Sequence, residues 1–332
     1  MTFVTVRACY NNPRVYVTTT HAANSFTCTH CHPRVSLTEP VLSSSPSPLG
    51  IATANHPQPP PTTPTESACG CCWAFGAAEA ASDRLCIWSN ATVAVPLSAQ
   101  ETCFCASEDG CQGGDLNTPW SYIAQQGLSV GGQNNNTGPF SDLGTCTPFS
   151  LPHCFHHGPK NTSPFPAEGT PGCPNVASGQ SPSCPNDCTN PNAKAPYNDF
   201  KTSRYAFSGS VQTFGDVASI QQAIMTDGPV EAAFTVMSDF ENYASGIYKS
   251  TSSKELGGHA IRIVGVSDGI LFSDLGGVLF LPCSHVKHLV VSSCLSCIQW
   301  GVEGGTEYWK IANSWNPYVS QLKCPFFPLC SF

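Results

Sequence analysis

Cysteine restricts the possible folds of this chain more than any other residue, because it occupies 20 of the 332 positions. So many thiols predict either disulfides formed in an oxidising compartment or metal ligation, and they argue against an ordinary cytosolic enzyme. The segment from Met1 to Val6 disagrees, because it lacks the basic start and the apolar stretch of a signal peptide. We give the cysteines more weight and expect a disulfide-rich protein.

The charge and hydropathy of the chain argue against two further classes of protein. The formal net charge is -8 at pH 7 and only 11% of the residues are charged, which does not suit the basic face of a nucleic-acid binder. No apolar run approaches the roughly 18 residues that a membrane-spanning helix needs. We therefore expect no nucleic-acid partner and no membrane span.

Regular structure is predicted to begin near residue 66. Residues 1–65 show neither a helical nor an alternating apolar period, and their second half is rich in Ser, Pro and Thr, so they are predicted to be low in complexity and disordered. The later apolar spacing and end signals predict helices over 72–87, from 98, over 118–127 and over 216–226, and strands over 230–236, 259–265 and 307–315. Between them, residues 131–200 are predicted to form a long loop region held by disulfides. Because helices precede strands, the pattern favours an α+β fold with two lobes.

One set of motifs carries the chemistry of a cysteine nucleophile. Cys72 lies in Cys-Gly-Cys-Cys-Trp at the start of a predicted helix, where the helix N-terminus and an imidazolium would lower the pKa of the thiol. His259, in Gly-Gly-His-Ala, would take the thiol proton and later return it to the leaving amine. Asn313 would hold the imidazole tautomer, and Trp315 would shield that hydrogen bond from water. A structural disulfide cysteine beside an aromatic core is the alternative interpretation of the first motif alone.

These motifs, in this order, resemble those of the papain-like cysteine peptidases, and most closely the cathepsin B group, over roughly residues 66–265 and 300–318. The resemblance implies a helical lobe over about 66–195 and a β lobe over about 196–318, with residues 266–299 as an insertion. It also implies a cysteine endopeptidase of lysosomal or secreted location that acts on peptides or proteins. Such an enzyme is expected to be a monomer and to need no cofactor and no metal.

The resemblance further implies roles for residues outside the catalytic set. His156 and His157 would form an occluding-type loop that accepts the substrate's terminal carboxylate and gives carboxydipeptidase activity. The substrate-binding residues would be Gly70, Trp73, Gly113, Gly114, Gly258 and Trp315. The implied disulfides are Cys69–Cys111, Cys146–Cys188, Cys154–Cys173 and Cys103–Cys184, with no obvious partner for Cys86 or Cys105.

The chain departs from the family at one active-site residue. Glu66 stands at the oxyanion position, where the family has a glutamine whose amide donates a hydrogen bond. An ionised carboxylate cannot donate, and the loss of one such donor typically lowers the rate by ~10²–10³. Poor activity is therefore expected of this chain.

The chain also departs from the family in its organisation. Residues 266–299 separate Gly265 from Trp300, which are adjacent in the family, and residues 319–332 form an aberrant tail that truncates the right, β-rich lobe. We interpret 1–65, 266–299 and 319–332 as translated intron sequence, because the pair Val266-Ser267 can be encoded by a splice-donor sequence. The signal peptide, prodomain and peptide preference of the product do not follow from this sequence.

Two other functions stay open at this point. A catalytically impaired papain-fold protein could bind peptides or a partner through the same cleft, and Glu66 favours that alternative. A cysteine-rich metal-binding protein would use isolated pairs of thiols or imidazoles. The candidate pairs are Cys28-x-x-Cys31-His32, which matches a haem-attachment pattern, Cys294-x-x-Cys297, which resembles half of a zinc site, and His156-His157.

Overall fold

The computed structural model of the chain describes the backbone of residues 2–9, 12–21, 66–89, 93–133, 143–155, 165–243, 245–265, 271–272, 278–279, 300–303, 305–315 and 321–325. Side chains are described within 66–89, 93–133, 143–155, 165–243, 245–264 and 305–315. These ranges contain the helices α1 (Cys72–Trp88), α2 (Ala99–Cys105), α3 (Asn117–Gln126) and α4 (Val217–Asp227), and a 3₁₀ helix at Phe240–Asn242. Within the same ranges, no helix has the length and apolar character needed to cross a bilayer.

The strands form one large mixed sheet and one small hairpin. The strands are β1 (Thr2–Cys9), β2 (Asn12–His21), β3 (Gln212–Thr213), β4 (Val230–Met237), β5 (Glu255–Gly265), β6 (Leu271–Phe272), β7 (Val278–Leu279), β8 (Trp300–Glu303), β9 (Thr306–Ala312) and β10 (Gln321–Pro325). The large sheet has the order β10-β9-β5-β4-β1-β2-β3, with β8 also paired to β9, while β6 and β7 pair with each other. The fold is therefore α+β, as predicted.

Local side-chain signals set the ends of the helices. The Ser98 side chain accepts a hydrogen bond from the Glu101 N–H at the start of α2, and the Asp216 side chain accepts one from Ser219 at the start of α4. Gly228 follows the end of α4 with a positive φ of 99°, a conformation that favours glycine. The predicted cap of α3 at Thr118 is wrong. The helix begins at Asn117 because the Asp115 carboxylate accepts hydrogen bonds from the first free N–H groups.

The described residues form two hydrophobic cores. The first core is built around the alanine-rich face of α1 with α2 and α3, and it also includes Phe207 and Ala260 of β5. The second core lies between α4 and the strands β4, β5 and β9, and it includes Trp309 and Trp315. The side chain of Arg84 joins the two regions, because its guanidinium donates to the backbone oxygens of Gly228 and Pro229.

The strands β5 and β8 lie along one line on the same side of β9. In the antiparallel register, Gly265 of β5 faces Lys310, and Trp300 of β8 faces Trp309, the next residue of β9. β5 therefore ends at Gly265 and β8 begins at Trp300, at adjacent positions along β9. Residues 266–299 interrupt what would otherwise be one continuous strand.

Three segments differ from the sequence-based expectations. Residues 2–9 and 12–21, predicted to be disordered, form an antiparallel pair, because their many Val and Thr residues favour extended backbone. Residues 321–325, expected to belong to an aberrant tail, form β10 against the edge of β9. The strand predicted over 307–315 covers Thr306–Ala312 instead, so Asn313 and Trp315 lie in the turn that follows it.

The disulfides agree with the expected pairs in three cases and differ in one. The structure contains the pairs Cys69–Cys111, Cys146–Cys188 and Cys154–Cys173. The expected pair Cys103–Cys184 is wrong, because Cys103 pairs with Cys71 and Cys184 pairs with Cys105. Residues two apart on a helix point to different sides, so on α2 Cys103 faces the first core while Cys105 faces the loop region. Cys86, for which no partner was expected, is also disulfide-bonded.

Candidate active site

The start of α1 presents Cys72 to a cleft between the two cores. Among the described cysteines, Cys72 is the one that forms no disulfide. Its flanking loop is held closely to the segment after α2, because the Gly70 N–H donates to the Cys111 oxygen at 2.7 Å. A Cβ atom at Gly70 would lie 2.7 Å from that oxygen, so only glycine fits there. The disulfides Cys69–Cys111 and Cys71–Cys103 also hold this loop in place.

His259 lies in the middle of β5, and the neighbouring strand β9 delivers its partner. The His259 Nε2 atom lies 2.7 Å from Asn313 Oδ1, so the ring donates and the amide oxygen accepts. Trp315 packs on the imidazole with ring centroids 4.7 Å apart, and it is only 3% exposed. Asn313 is fully buried. The hydrogen bond therefore lies under an indole that excludes water, which strengthens it.

Glu66 brings a carboxyl group into the same cleft. Its backbone N–H donates to the Ser314 oxygen at 3.0 Å, and the Ser314 hydroxyl donates to Glu66 Oε1 at 3.4 Å. The same Oε1 atom lies 4.0 Å from His259 Nδ1. Glu66 is 1% exposed, and burial raises the pKa of its carboxyl well above the ordinary value. The neutral acid is therefore the favoured form over a wider range of pH than for an exposed glutamate.

The surroundings of Cys72 differ from the expectation of a lowered thiol pKa. Burial raises the pKa of Cys72, and the carboxylate charges of Glu66 and Glu231 raise it further. Hydrogen bonds from the backbone N–H groups of Ala260 and Trp73 oppose this increase but do not cancel it. Desolvation thus outweighs the helix N-terminus at Cys72.

The cleft contains some of the expected substrate-binding residues and not others. Trp73 is 1% exposed and belongs to the first core, where its Nε1–H donates to the Gly110 oxygen. Gly113 and Gly114 are exposed beyond the cleft, and Gly114 packs against the Trp73 ring. The residues that line the cleft are Glu66, Gly70, Cys72, Val236, Leu256, Gly257, Gly258, His259 and Trp315.

Sequence reasoning missed the apolar part of this wall. Val236, at the end of β4, and Leu256, at the start of β5, both line the cleft. Leu256 is 43% exposed, which makes it one of the most exposed large apolar side chains among the described residues. Its place directly before the Gly-Gly-His motif was the available signal. Val236 is brought to the cleft by the pairing of β4 with β5, which the sequence alone did not predict.

Four buried sulfur atoms lie behind the cleft. The Sγ atoms of Cys69, Cys71, Cys103 and Cys111 are all within 4.8 Å of one another. In this structure they are joined as two disulfides, so the thiolates that a metal would need are absent. The other proposed metal and haem ligands and the occluding-loop pair lie outside the described residues: Cys28, Cys31, His32, Cys294, Cys297, His156 and His157.

Comparison with known proteins agrees with the geometry. The model of the papain family cysteine proteases matches residues 61–269. Cathepsin B-like cysteine proteinase 4 of Caenorhabditis elegans is 38% identical over 254 residues, which is 76% of this chain and 60% of that protein. A cathepsin B-like cysteine proteinase of Schistosoma japonicum is 37% identical over 254 residues, 76% of this chain and 58% of its own length. The chain thus spans about 60% of the length of these relatives.

The fold agrees as well. The structure of procathepsin B S9 from Trypanosoma congolense superposes with a TM-score of 0.51 at 22% identity, covering 81% of this chain and 68% of that one. The two hydrophobic cores, with the cysteine on a helix start and the histidine on a strand, are accordingly a papain-like fold. This chain belongs to the papain family of cysteine proteases.

Proposed function

We propose that the chain is a cathepsin B-like peptidase that hydrolyses peptide bonds with Cys72, His259 and Asn313. The observation that carries this proposal is the shared cleft of Cys72 and His259, combined with the 2.7 Å bond from the imidazole to Asn313. With Nε2 occupied by Asn313, the other ring nitrogen is left to serve the cleft. That division of the two nitrogens is what a histidine needs to exchange a proton with a thiol.

The reaction would proceed through an acyl-enzyme. The Cys72 thiolate attacks the peptide carbonyl carbon, and the C–N bond breaks as the His259 imidazolium gives its proton to the leaving amine. Water, deprotonated by His259, then attacks the thioester, and the C–S bond breaks to regenerate the thiolate and imidazolium. Glu66, at the oxyanion position, could donate to the tetrahedral oxygen only as a neutral acid.

Further features of the function rest on the family likeness. The substrates would be peptides or proteins, contacted through Gly70, Gly258 and Trp315, and the location would be lysosomal or secreted. His156 and His157 would bind the terminal carboxylate of a substrate and so direct removal of C-terminal dipeptides. If they do, replacing both with Ala should lower release of dipeptides and spare the cleavage of amide-capped peptides. Equal loss on both substrates would contradict that role.

The peptidase proposal itself is tested by hydrolysis of an amide-capped fluorogenic peptide near pH 5. Poor activity was expected of an ionised Glu66, but burial raises the pKa of its carboxyl and favours the neutral form that can donate. We therefore expect turnover by the unaltered chain and its loss in Cys72→Ala, with Cys105→Ala/Cys184→Ala as a control that removes a distant disulfide. Binding of the peptide without turnover by the unaltered chain would instead favour the impaired, peptide-binding alternative. The reason to consider this alternative is the carboxyl group of Glu66 at the oxyanion position.

A further inference from the structure

The carboxyl group of Glu66 lies in the catalytic cleft, but in the proposed mechanism it is neither the nucleophile nor the group that transfers protons. It lines the cleft beside Cys72 and His259, and its backbone is tied to the turn after β9 through Ser314. A group held so firmly beside two reacting side chains affects them whenever its charge changes.

The groups that face Glu66 come from three elements. From α1 these are the Cys72 thiol, the Cys71 backbone N–H and, by its charge, Glu79. From β5 the facing group is His259, with Nδ1 at 4.0 Å, and from the turn after β9 it is the Ser314 hydroxyl. The charge of Glu79 is offset by Arg262, whose Nε lies 3.6 Å from it. The imidazole is thus a titratable group within 4.0 Å of the carboxyl group.

The ring of His259 has a single proton to offer on the side of the cleft. Nε2 donates to Asn313, so only the Nδ1–H of an imidazolium is left for an anion. Among the described residues that line the cleft, Cys72 as a thiolate and Glu66 as a carboxylate can be that anion. The charge of an ionised Glu66 also disfavours the Cys72 thiolate in the same cleft, because like charges repel strongly where water is excluded.

We propose that the charge state of Glu66 switches the catalytic site. When Glu66 is a neutral acid, the His259 imidazolium pairs with the Cys72 thiolate. When Glu66 is a carboxylate, it competes with the thiolate for the imidazolium. The inference rests on the proposed function, which assigns Cys72 and His259 as the reacting pair. In its neutral form Glu66 is also a hydrogen-bond donor that resembles the glutamine of the family. The site is therefore active in acid and is switched off as Glu66 ionises.

The direction of the pH dependence follows from the burial of Glu66. Burial raises the pKa of its carboxyl, so the neutral form persists above the range of an ordinary glutamate and the active state extends upward from acid. Above the pKa, each unit of pH lowers the neutral fraction about tenfold. A glutamine at this position never ionises, so it should keep the site active over the whole range.

The test measures the rate at which iodoacetamide alkylates Cys72, followed by peptide mass spectrometry. Near pH 4.5 the unaltered chain and Glu66→Gln should react within about twofold of each other. As the pH is raised stepwise to about 9, the rate of Glu66→Gln relative to the unaltered chain should grow by about tenfold for each unit of pH above the pKa of Glu66. Glu66→Ala, which removes the charge and the hydrogen-bonding group together, should show the same loss of pH dependence. Equal unfolding midpoints for the three proteins at about pH 5 establish that they are compared as folded chains.

A matched control is Glu79→Gln. Glu79 is a second buried carboxyl on α1, and burial raises its pKa to about 7, but it does not line the cleft. This variant should keep the pH profile of the unaltered chain. Identical profiles for Glu66→Gln and the unaltered chain, or an equal effect of Glu79→Gln, would overturn the inference and leave the proposed function standing. Absence of Cys72 alkylation in every protein would overturn both.

Discussion

At the scale of single residues, the contact between His259 and Asn313 organises the site. His259 is 4% exposed and packs edge-on against Phe234, at 5.8 Å between ring centroids. Asn313 lies just past the end of β9, and Trp315 packs on the His259 ring beside it. Burial and stacking hold the ring in place, while the amide selects which nitrogen carries the outward proton.

Removing the Asn313 amide should slow catalysis without unfolding the chain. In Asn313→Ala the buried Nε2–H loses its acceptor, which costs about 1–3 kcal/mol and should lower kcat by roughly tenfold to a hundredfold, with little change in KM. Asn190→Ala is a matched control, because Asn190 is buried and hydrogen-bonded to the Thr145 oxygen in the loop region. An equal loss of kcat in both variants would contradict a positioning role for Asn313.

The sequence predicts the identity of the site residues better than their electrostatics. Cys72, His259 and Asn313 were proposed from short motifs, which the structure places at the start of α1, within β5 and just after β9. The raised pKa values of Cys72 and Glu66 do not follow, because burial is produced by both cores together. Sequence reasoning treated Glu66 as an ionised residue, whereas its 1% exposure favours the neutral acid.

At the scale of secondary-structure elements, local signals predict helix ends, and tertiary contacts decide partners. The caps at Ser98 and Asp216 are local. The sequence predicted the first as a cap and placed Asp216 at the start of its helix. The pairing of Cys103 with Cys71 depends on which side of α2 faces the first core, and that face was not evident from spacing. The pairing of β10 with β9 likewise involves residues 321–325, whose sequence alone gave no strand signal.

Deleting residues 266–299 should leave the fold intact. The registers opposite β9 place Gly265 and Trp300 at consecutive positions, so the deletion joins β5 to β8 without moving either. Closing a loop costs little per residue, with only ~0.6 kcal/mol added for each doubling of its length. We expect an equal or slightly higher unfolding midpoint by circular dichroism.

In the same deletion variant, iodoacetamide should alkylate Cys72 at the same rate as in the unaltered chain, because β5 still places His259 in the cleft. Deletion of the control segment 306–312, which is β9 itself, should abolish folding. A deletion of 266–299 that aggregates or loses Cys72 reactivity would show that the inserted residues support the sheet.

At the scale of the whole molecule, buried carboxyl groups make the stability of the fold depend on pH. Burial raises the pKa values of Glu66, Glu79 and Glu231, so the folded state binds more protons than the unfolded chain above pH 4.5. Hydrogen bonds from Ser181 and Ser219 lower the pKa values of Asp109 and Asp216, respectively. Stability is therefore lost as pH rises through the first group and as pH falls through the second.

The unfolding midpoint should accordingly be highest near about pH 5 and fall towards pH 7. For Glu79, whose pKa rises from 4.5 to about 7, the loss is on the order of 3 kcal/mol. Thermal unfolding at a series of pH values measures the slope, and Glu79→Gln should make it shallower. A midpoint that increases steadily from pH 5 to pH 7 would refute this assignment.

The most direct test of the central claim is the labelling of Cys72 by an epoxide thiol inhibitor near pH 5. The unaltered chain should take up one label, located at Cys72 by peptide mapping. His259→Ala should react at least ~100-fold more slowly, because no imidazolium supports the thiolate. His153→Ala, which removes a histidine that stacks on Phe165 away from the cleft, should react like the unaltered chain. No label on Cys72, or equal rates with and without His259, would contradict the assignment of a cysteine–histidine peptidase site.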